Sequence, residues 1–171
     1  MKPREQVLAE LIRENSYINI VEVGVKSGRV FGHLLKHCPN IHIWGIDLWM
    51  KRAVDGTAGE ESYNTWNMGA LEAKVHSIAS MYPGRAVVIK EDSAKSASMF
   101  ADGSIDLVFI DADHTEASVL RDIDAWWPKI KLGGTLCGHD VAWKSVRNAV
   151  ESRFPAAFTI LHDSIWCKKK T

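Results

Sequence analysis

Apolar residues fall at helical spacing near the start of the chain and then in short uninterrupted runs, and the two patterns alternate to the C-terminus. Residues 4–14 place Val7, Leu8, Leu11 and Ile12 on one face, which predicts a helix stopped by Asn15-Ser16. Tyr17 to Val23 is nearly all apolar and predicts a strand ending at Gly24. A helix is expected over 29–38, then Pro39-Asn40 and a second strand from Ile41 to Ile46. The polar stretch from Asp47 to about Ser62 contains Gly56 and Gly59 and reads as a long loop. Leu71, Val75, Ile78 and Ala79 give the next helix, ended by Pro83-Gly84. Strand three follows from Ala86 to Ile89, then a short helix over 94–100. Asp102-Gly103 turns the chain into strand four, Ile105 to Ile110. Residues 116–127 are expected to be helical as far as Pro128, and Gly133-Gly134 to introduce strand five, Thr135 to Cys137. A helix near 144–153 stops before Pro155, and two β-like runs, Phe158 to Leu161 and Ser164 to Cys167, close the pattern around His162-Asp163.

Strands that are apolar throughout and alternate with helices describe a parallel sheet covered on both faces. The last two runs are joined too tightly for a parallel crossover and should be antiparallel. The expected architecture is therefore α/β: a doubly wound, mostly parallel, seven-stranded Rossmann-like sheet with a C-terminal antiparallel β-hairpin. In such sheets a ligand sits at the carboxyl ends of the strands.

Composition narrows the classes. The 171 residues, 46% apolar and 25% charged, suit a single globular domain spanning 1–171. Lys plus Arg and Asp plus Glu are both 21, which argues against a nucleic-acid partner. Lys168-Lys169-Lys170 reads as a solvated end. No apolar run approaches the ~20 residues of a membrane span, and no signal-peptide core is seen. Three cysteines, Cys38, Cys137 and Cys167, without CxxC spacing read as reduced buried thiols of a cytoplasmic protein.

The strand ends carry the candidate chemistry. Strand one runs Glu22-Val23-Gly24-Val25-Lys26-Ser27-Gly28; the glycines permit a tight turn and close approach to a ligand, or simple strand–helix packing. The helix beyond offers free N–H groups to a carboxylate. Asp47, followed by Leu48, stands at the end of strand two, where a carboxylate accepts ribose hydroxyls. Asp92, before Ser93, either caps the next helix or meets an adenine amino group. A nucleotide-like ligand along strands one to three is either a dinucleotide or S-adenosylmethionine. Lys26 stands where the dinucleotide fingerprint needs its second glycine, which favours S-adenosylmethionine.

The segment Ile105-Asp-Leu-Val-Phe-Ile-Asp111-Ala-Asp113-His114, with Gly138-His139-Asp140 after strand five, carries a resemblance. From Glu22 to Trp166 the chain resembles class I S-adenosylmethionine-dependent methyltransferases, specifically the small group with IDxDH and GHD motifs that includes macrolide-sugar and catechol O-methyltransferase-like enzymes. That resemblance implies Glu22, Gly24 and Gly28 around the methionine part of the cofactor, and Asp47 and Leu48 at the ribose. It implies Asp92 and Ser93 near the adenine, and Asp111 beside the reactive methyl. It also implies Mg²⁺ or Mn²⁺ at positions matching Asp111, His139 and Asp140, with His114 as the base. Hard Mg²⁺ prefers the carboxylates, which makes His139 the awkward member of that set. Thr115 is followed by Glu116-Ala117, whereas the group usually places a Tyr-Glu pair there.

Acceptor recognition is expected from residues 1–16, the 48–66 loop and a second subunit in a homo-oligomer. Trp49 and Trp66 flank that loop and either stack on a ligand or anchor the loop, whereas Trp44 and Trp126 read as core. His33 and His37 share a helical face without a third ligand nearby in sequence. The function expected is methylation, on oxygen, of a small hydroxylated metabolite or sugar. The rival is a non-catalytic S-adenosylmethionine-binding sensor or scaffold; a nicotinamide-dependent oxidoreductase is disfavoured by Lys26.

Overall fold

A computed structural model of the chain describes residues 2–50 and 65–171. Helix α1 (Arg4–Asn15) leads into β1 (Asn19–Val23), α2 (Arg29–His37) and β2 (His42–Asp47). Next come α3 (Met68–Ser80), β3 (Ala86–Lys90), α4 (Ser93–Ala97), β4 (Ile105–Ile110) and α5 (Glu116–Trp126). A 3₁₀ turn, β5 (Ile130–Gly138), α6 (Lys144–Arg153), β6 (Thr159–Ile160) and β7 (Trp166–Lys169) complete the chain. The expected long loop falls mostly on 51–64, outside the described residues.

One seven-stranded sheet runs β3-β2-β1-β4-β5-β7-β6. Pairs β1–β2, β2–β3, β1–β4 and β4–β5 are parallel, while β5–β7 and β6–β7 are antiparallel. The order reverses between β1 and β4, so the crevice of a doubly wound sheet opens there, above Val23 and Ile110. Both faces are buried. Ile20, Leu107, Phe109 and Cys137 pack with Leu8, Phe31 and Leu34 of α1 and α2. Their strand neighbours Val21, Val108, Ile110 and Leu136 pack with Ile123, Trp126, Val146 and Trp166 on the other side. Burial on both faces is why the central strands read as uninterrupted apolar runs.

Several expectations change. Strand β5 begins at Ile130, not at Thr135, because Ile105 pairs with Ile130 and Leu107 with Thr135. The intervening segment bulges through Gly133 at φ +79°, and its glycines disguise the strand. The final lysines are a solvated end only in part, with Lys169 exposed and Lys168 and Lys170 half-buried. Lys168 and Lys169 are in β7, and Lys170 Nζ donates to the carbonyls of Trp127 (3.1 Å) and Ile130 (2.8 Å). Trp44 is half-buried instead of fully core; it packs against the edge of the cluster on that face, edge-on to Phe100 at 5.5 Å. Strand β3 lies at the sheet edge, where Val87 stays 46% exposed. Cys38, Cys137 and Cys167 are free and buried, as expected.

Candidate functional site

A cleft of about 410 Å³ opens at the carboxyl ends of β1 to β4. Gly24, Asp47, Leu48, Asp92, Ser93 and Asp111 all line it. The cleft is within the size range of small-molecule sites. Glu22 and Gly28 do not line it. Glu22 is buried in β1, where burial first, and the charges of Asp111 and Asp47 next, push its carboxyl well above the usual range. A Cβ on Gly28 would meet Ile78 at 2.9 Å, so this glycine serves packing against α3.

The loops around the cleft are held by one carboxylate. Lys26 and Trp49 adopt left-handed φ of 54° and 44°, a conformation that non-glycine residues keep only where surroundings impose it. The Lys26 and Trp49 backbone N–H groups donate to the two oxygens of Asp47, each at 2.8 Å. The Trp49 indole closes the clamp by donating to the Lys26 carbonyl at 2.8 Å. Trp49 is buried, so of its two readings the structure shows the anchor. The Lys26 ammonium lies 3.3 Å from the Trp66 ring centroid.

At the other end of the cleft, Asp92 caps α4 by accepting from the Lys95 N–H at 3.2 Å and pairs with Arg121 at 3.0 Å. Ser93 Oγ accepts from the Trp126 indole at 2.9 Å and lies beside the Asp122 carboxyl. Burial pushes Asp122 up to about 6, against the pull of Ser93 and Arg121.

Across the 111–113 segment from the cleft lies a second group of side chains. His114 Nε2 is 2.9 Å from Asp140 Oδ2, and His139 Nδ1 is 3.0 Å from the same oxygen. Burial opposes charge on Asp140, but the two imidazoles outweigh it and hold the carboxyl well below its usual value. Burial also opposes protonation of His139, and Asp140 and Asp111 overcome it, so that imidazole is shifted up. Asp111 is pushed to about 6 by burial, with Arg4 and the histidines pulling the other way. Asp140 sits at φ +57°, two residues beyond the end of β5.

Sequence reasoning missed three members of this group. Arg4, in the first turn of α1, places Nη1 2.7 Å from Asp111 Oδ2 and 3.0 Å from His139 Nδ1. Asp163, in the turn between β6 and β7, accepts the Arg4 backbone N–H at 2.8 Å and lies 3.8 Å from His139 Nε2. Trp143, 46% exposed, packs its ring 4.8 Å from that of His114. The one signal in the sequence was the assignment of residues 1–16 to acceptor recognition.

Donor atoms of Asp111, His139 and Asp140 lie within 4.8 Å of one another, the one such group among the described residues. By residue type the set suits a divalent ion. As folded, Arg4 Nη1 fills the gap between Asp111 and His139 Nδ1, so the arrangement does not fit an ion there. His33 and His37 stack at 4.2 Å without a third ligand among the described residues.

A profile described as Methyltransferase domain matches residues 21–141. No curated protein matches the chain. Among solved structures, the fold is shared with the S-adenosylhomocysteine-bound methyltransferase PaMTH1 of Podospora anserina, at 11% identity and TM-score 0.71, covering 100% of this chain and 80% of that one. It is shared also with an S-adenosylmethionine-dependent O-methyltransferase of Thermotoga maritima, at 14% identity and TM-score 0.65, covering 100% and 66%. A third is CalS11, a TDP-rhamnose 3'-O-methyltransferase of calicheamicin biosynthesis, at 15% identity and TM-score 0.62, covering 98% and 80%. The profile spans most of the chain, so the chain belongs to the Methyltransferase domain family, and its own sheet order together with the shared structures gives it the class I S-adenosylmethionine-dependent methyltransferase fold.

Proposed function

We propose that the protein transfers a methyl group from S-adenosylmethionine to a hydroxyl oxygen of a small metabolite or sugar, in the cytoplasm. The observation that carries the oxygen chemistry is the His114–Asp140 pair, 2.9 Å apart and separated from the cleft only by the 111–113 segment. S-adenosylmethionine would lie in the cleft with its ribose toward Asp47 and Leu48, its adenine toward Asp92 and Ser93, and its sulfonium toward Asp111. The acceptor oxygen attacks the methyl carbon in line, the carbon–sulfur bond breaks with its electron pair going to sulfur, and S-adenosylhomocysteine leaves. The acceptor proton passes to His114. Asp140 Oδ2 faces His114 Nε2 at 2.9 Å and would orient that imidazole, the role a carboxylate plays behind a catalytic histidine. Alignment of donor and acceptor supplies much of the remaining barrier reduction. No step runs through a metal.

Calorimetry with S-adenosylhomocysteine and with NADH, followed by transfer of labelled methyl to a panel of sugars and catechols, tests the reading. Binding of the first ligand alone and an O-methyl product are the expected results. Absence of S-adenosylhomocysteine binding would overturn the cofactor assignment. Binding without turnover on any acceptor would move the protein to the non-catalytic class.

A further inference from the structure

We infer that the Arg4 guanidinium is the resident cation of the Asp111–His139–Asp140 cluster, holding the place that a divalent ion would otherwise take. Three observations converge. First, position: Nη1 lies 2.7 Å from Asp111 Oδ2 and 3.0 Å from His139 Nδ1, two of the atoms an ion would need. Second, delivery: α1 is a packed helix, with Val7, Leu8, Ala9 and Ile12 buried and Glu5 paired to Arg29 at 2.9 Å. The Arg4 backbone is pinned as well, its N–H donating to Asp163 Oδ2 at 2.8 Å. The guanidinium is thus presented by the folded core. Third, demand: Asp111 and Asp140 are largely withdrawn from water, with side-chain exposures of 15% and 24%, and buried carboxylates need a countercharge. Guanidinium stays charged at any working pH and meets carboxylates in a fixed planar geometry.

The consequence deepens the methyl-transfer reading and rests on it only for activity. An acceptor hydroxyl at this cluster would be oriented by guanidinium N–H donors and deprotonated by His114, without coordination to a metal.

The test is Mn²⁺ binding followed by electron paramagnetic resonance on wild type, Arg4→Met and Arg4→Met/Asp140→Asn, each with S-adenosylhomocysteine calorimetry on the same preparation. Wild type should leave millimolar Mn²⁺ free, Arg4→Met should gain one site tighter by about tenfold or more, and the double variant should lose it. Turnover of wild type should survive EDTA. Wild type that binds Mn²⁺ as tightly as Arg4→Met would overturn the inference. So would an Arg4→Met protein that binds none, since Arg4 would then exclude nothing. Arg4→Gln replaces Arg4→Met if the latter fails to fold. If neither folds, a stoichiometric Mn²⁺ site in wild type overturns the inference and its absence, with EDTA-resistant turnover, supports it. Failure of the methyl-transfer reading would show separately, as loss of S-adenosylhomocysteine binding in wild type.

Discussion

Gly24, directly after β1, lies against the segment that carries Asp111, and Gly24→Ala measures how much the site depends on that approach. Gly24 has φ +90°, and a Cβ built there would stand 2.2 Å from the Asp111 carbonyl oxygen and 2.8 Å from the Ala112 Cα. Both obstacles are main chain, tied down by the Asp111 N–H donating to the Val23 carbonyl at 2.8 Å. Gly103 is the control, since it too has positive φ (+68°) but nothing within 4 Å of its missing Cβ. Left-handed backbone costs an L-residue about 1–2 kcal/mol, a penalty common to both alanine variants. Overpacking against an unyielding neighbour adds roughly 1–3 kcal/mol at Gly24 alone. Gly24→Ala should therefore lose ~2–5 kcal/mol and Gly103→Ala ~1–2 kcal/mol, against the ~5–15 kcal/mol that holds typical domains together. Urea unfolding at constant m gives both numbers. Calorimetry on the folded fraction should show Gly24→Ala weakened about a hundredfold for S-adenosylhomocysteine, because the 111–113 segment must move, while Gly103→Ala binds normally. Equal stability losses and unchanged affinity at Gly24 would refute the argument that this close approach shapes the cleft.

Asp47→Ala removes the acceptor of two 2.8 Å backbone bonds and should reduce S-adenosylhomocysteine affinity by ~1.5–3 kcal/mol, whereas calorimetry showing a loss of under a few-fold would limit Asp47 to a loop clamp far from the ribose. His114→Ala should lower kcat by ~10²–10⁴ without changing cofactor affinity. Asp140→Asn should add little to it in the double variant if the pair acts as one unit, and additive losses would separate their roles. Asp122 is raised to about 6 by burial, so the native state holds a proton that the unfolded chain sheds between the ordinary carboxylate value and about 6. Its share of stability is present below the unfolded value and lost as pH rises to about 6, roughly 3 kcal/mol in all. Asp122→Asn should then unfold at higher urea than wild type at about pH 7.5 and converge with it near about pH 4; a gap that does not depend on pH would show that burial of this carboxyl is not what destabilises it.

The strands that read correctly are those whose chemistry is set by the sheet alone. Ile105 to Ile110 is buried on both faces and therefore apolar at every position except Asp106, which is excused by accepting the Asn19 N–H at 2.8 Å. β5 misleads because its first half bulges: Lys131, Leu132, Gly133 and Gly134 look like a turn, yet Ile130 pairs with Ile105 on one side, and on the other the Gly133 N–H donates to the Lys170 carbonyl while the Gly134 carbonyl accepts the Lys170 N–H. The C-terminal lysines mislead for a related reason. Their charge argues for water, but Lys170, just past β7, turns its ammonium to the carbonyl oxygens of Trp127 and Ile130 around the 3₁₀ turn.

The site divides along the same line. Asp111 with His114, and His139 with Asp140, follow directly on β4 and β5, so neighbouring strands bring two short motifs together and the sequence shows both. Arg4 and Asp163 belong to the same cluster but stand 107 residues from Asp111 and 159 residues from each other. No local pattern marks them, since an arginine in the first turn of an amphipathic helix is an ordinary solvated residue until tertiary packing chooses its neighbours. The motifs did carry one half of the information: two carboxylates converging beside two histidines, out of water, require positive charge close by. A metal is the cation that motif spacing calls to mind. An arginine delivered by the first helix meets the same electrostatic demand, and the packing of Val7, Leu8 and Ile12 against the sheet decides that Arg4 arrives there.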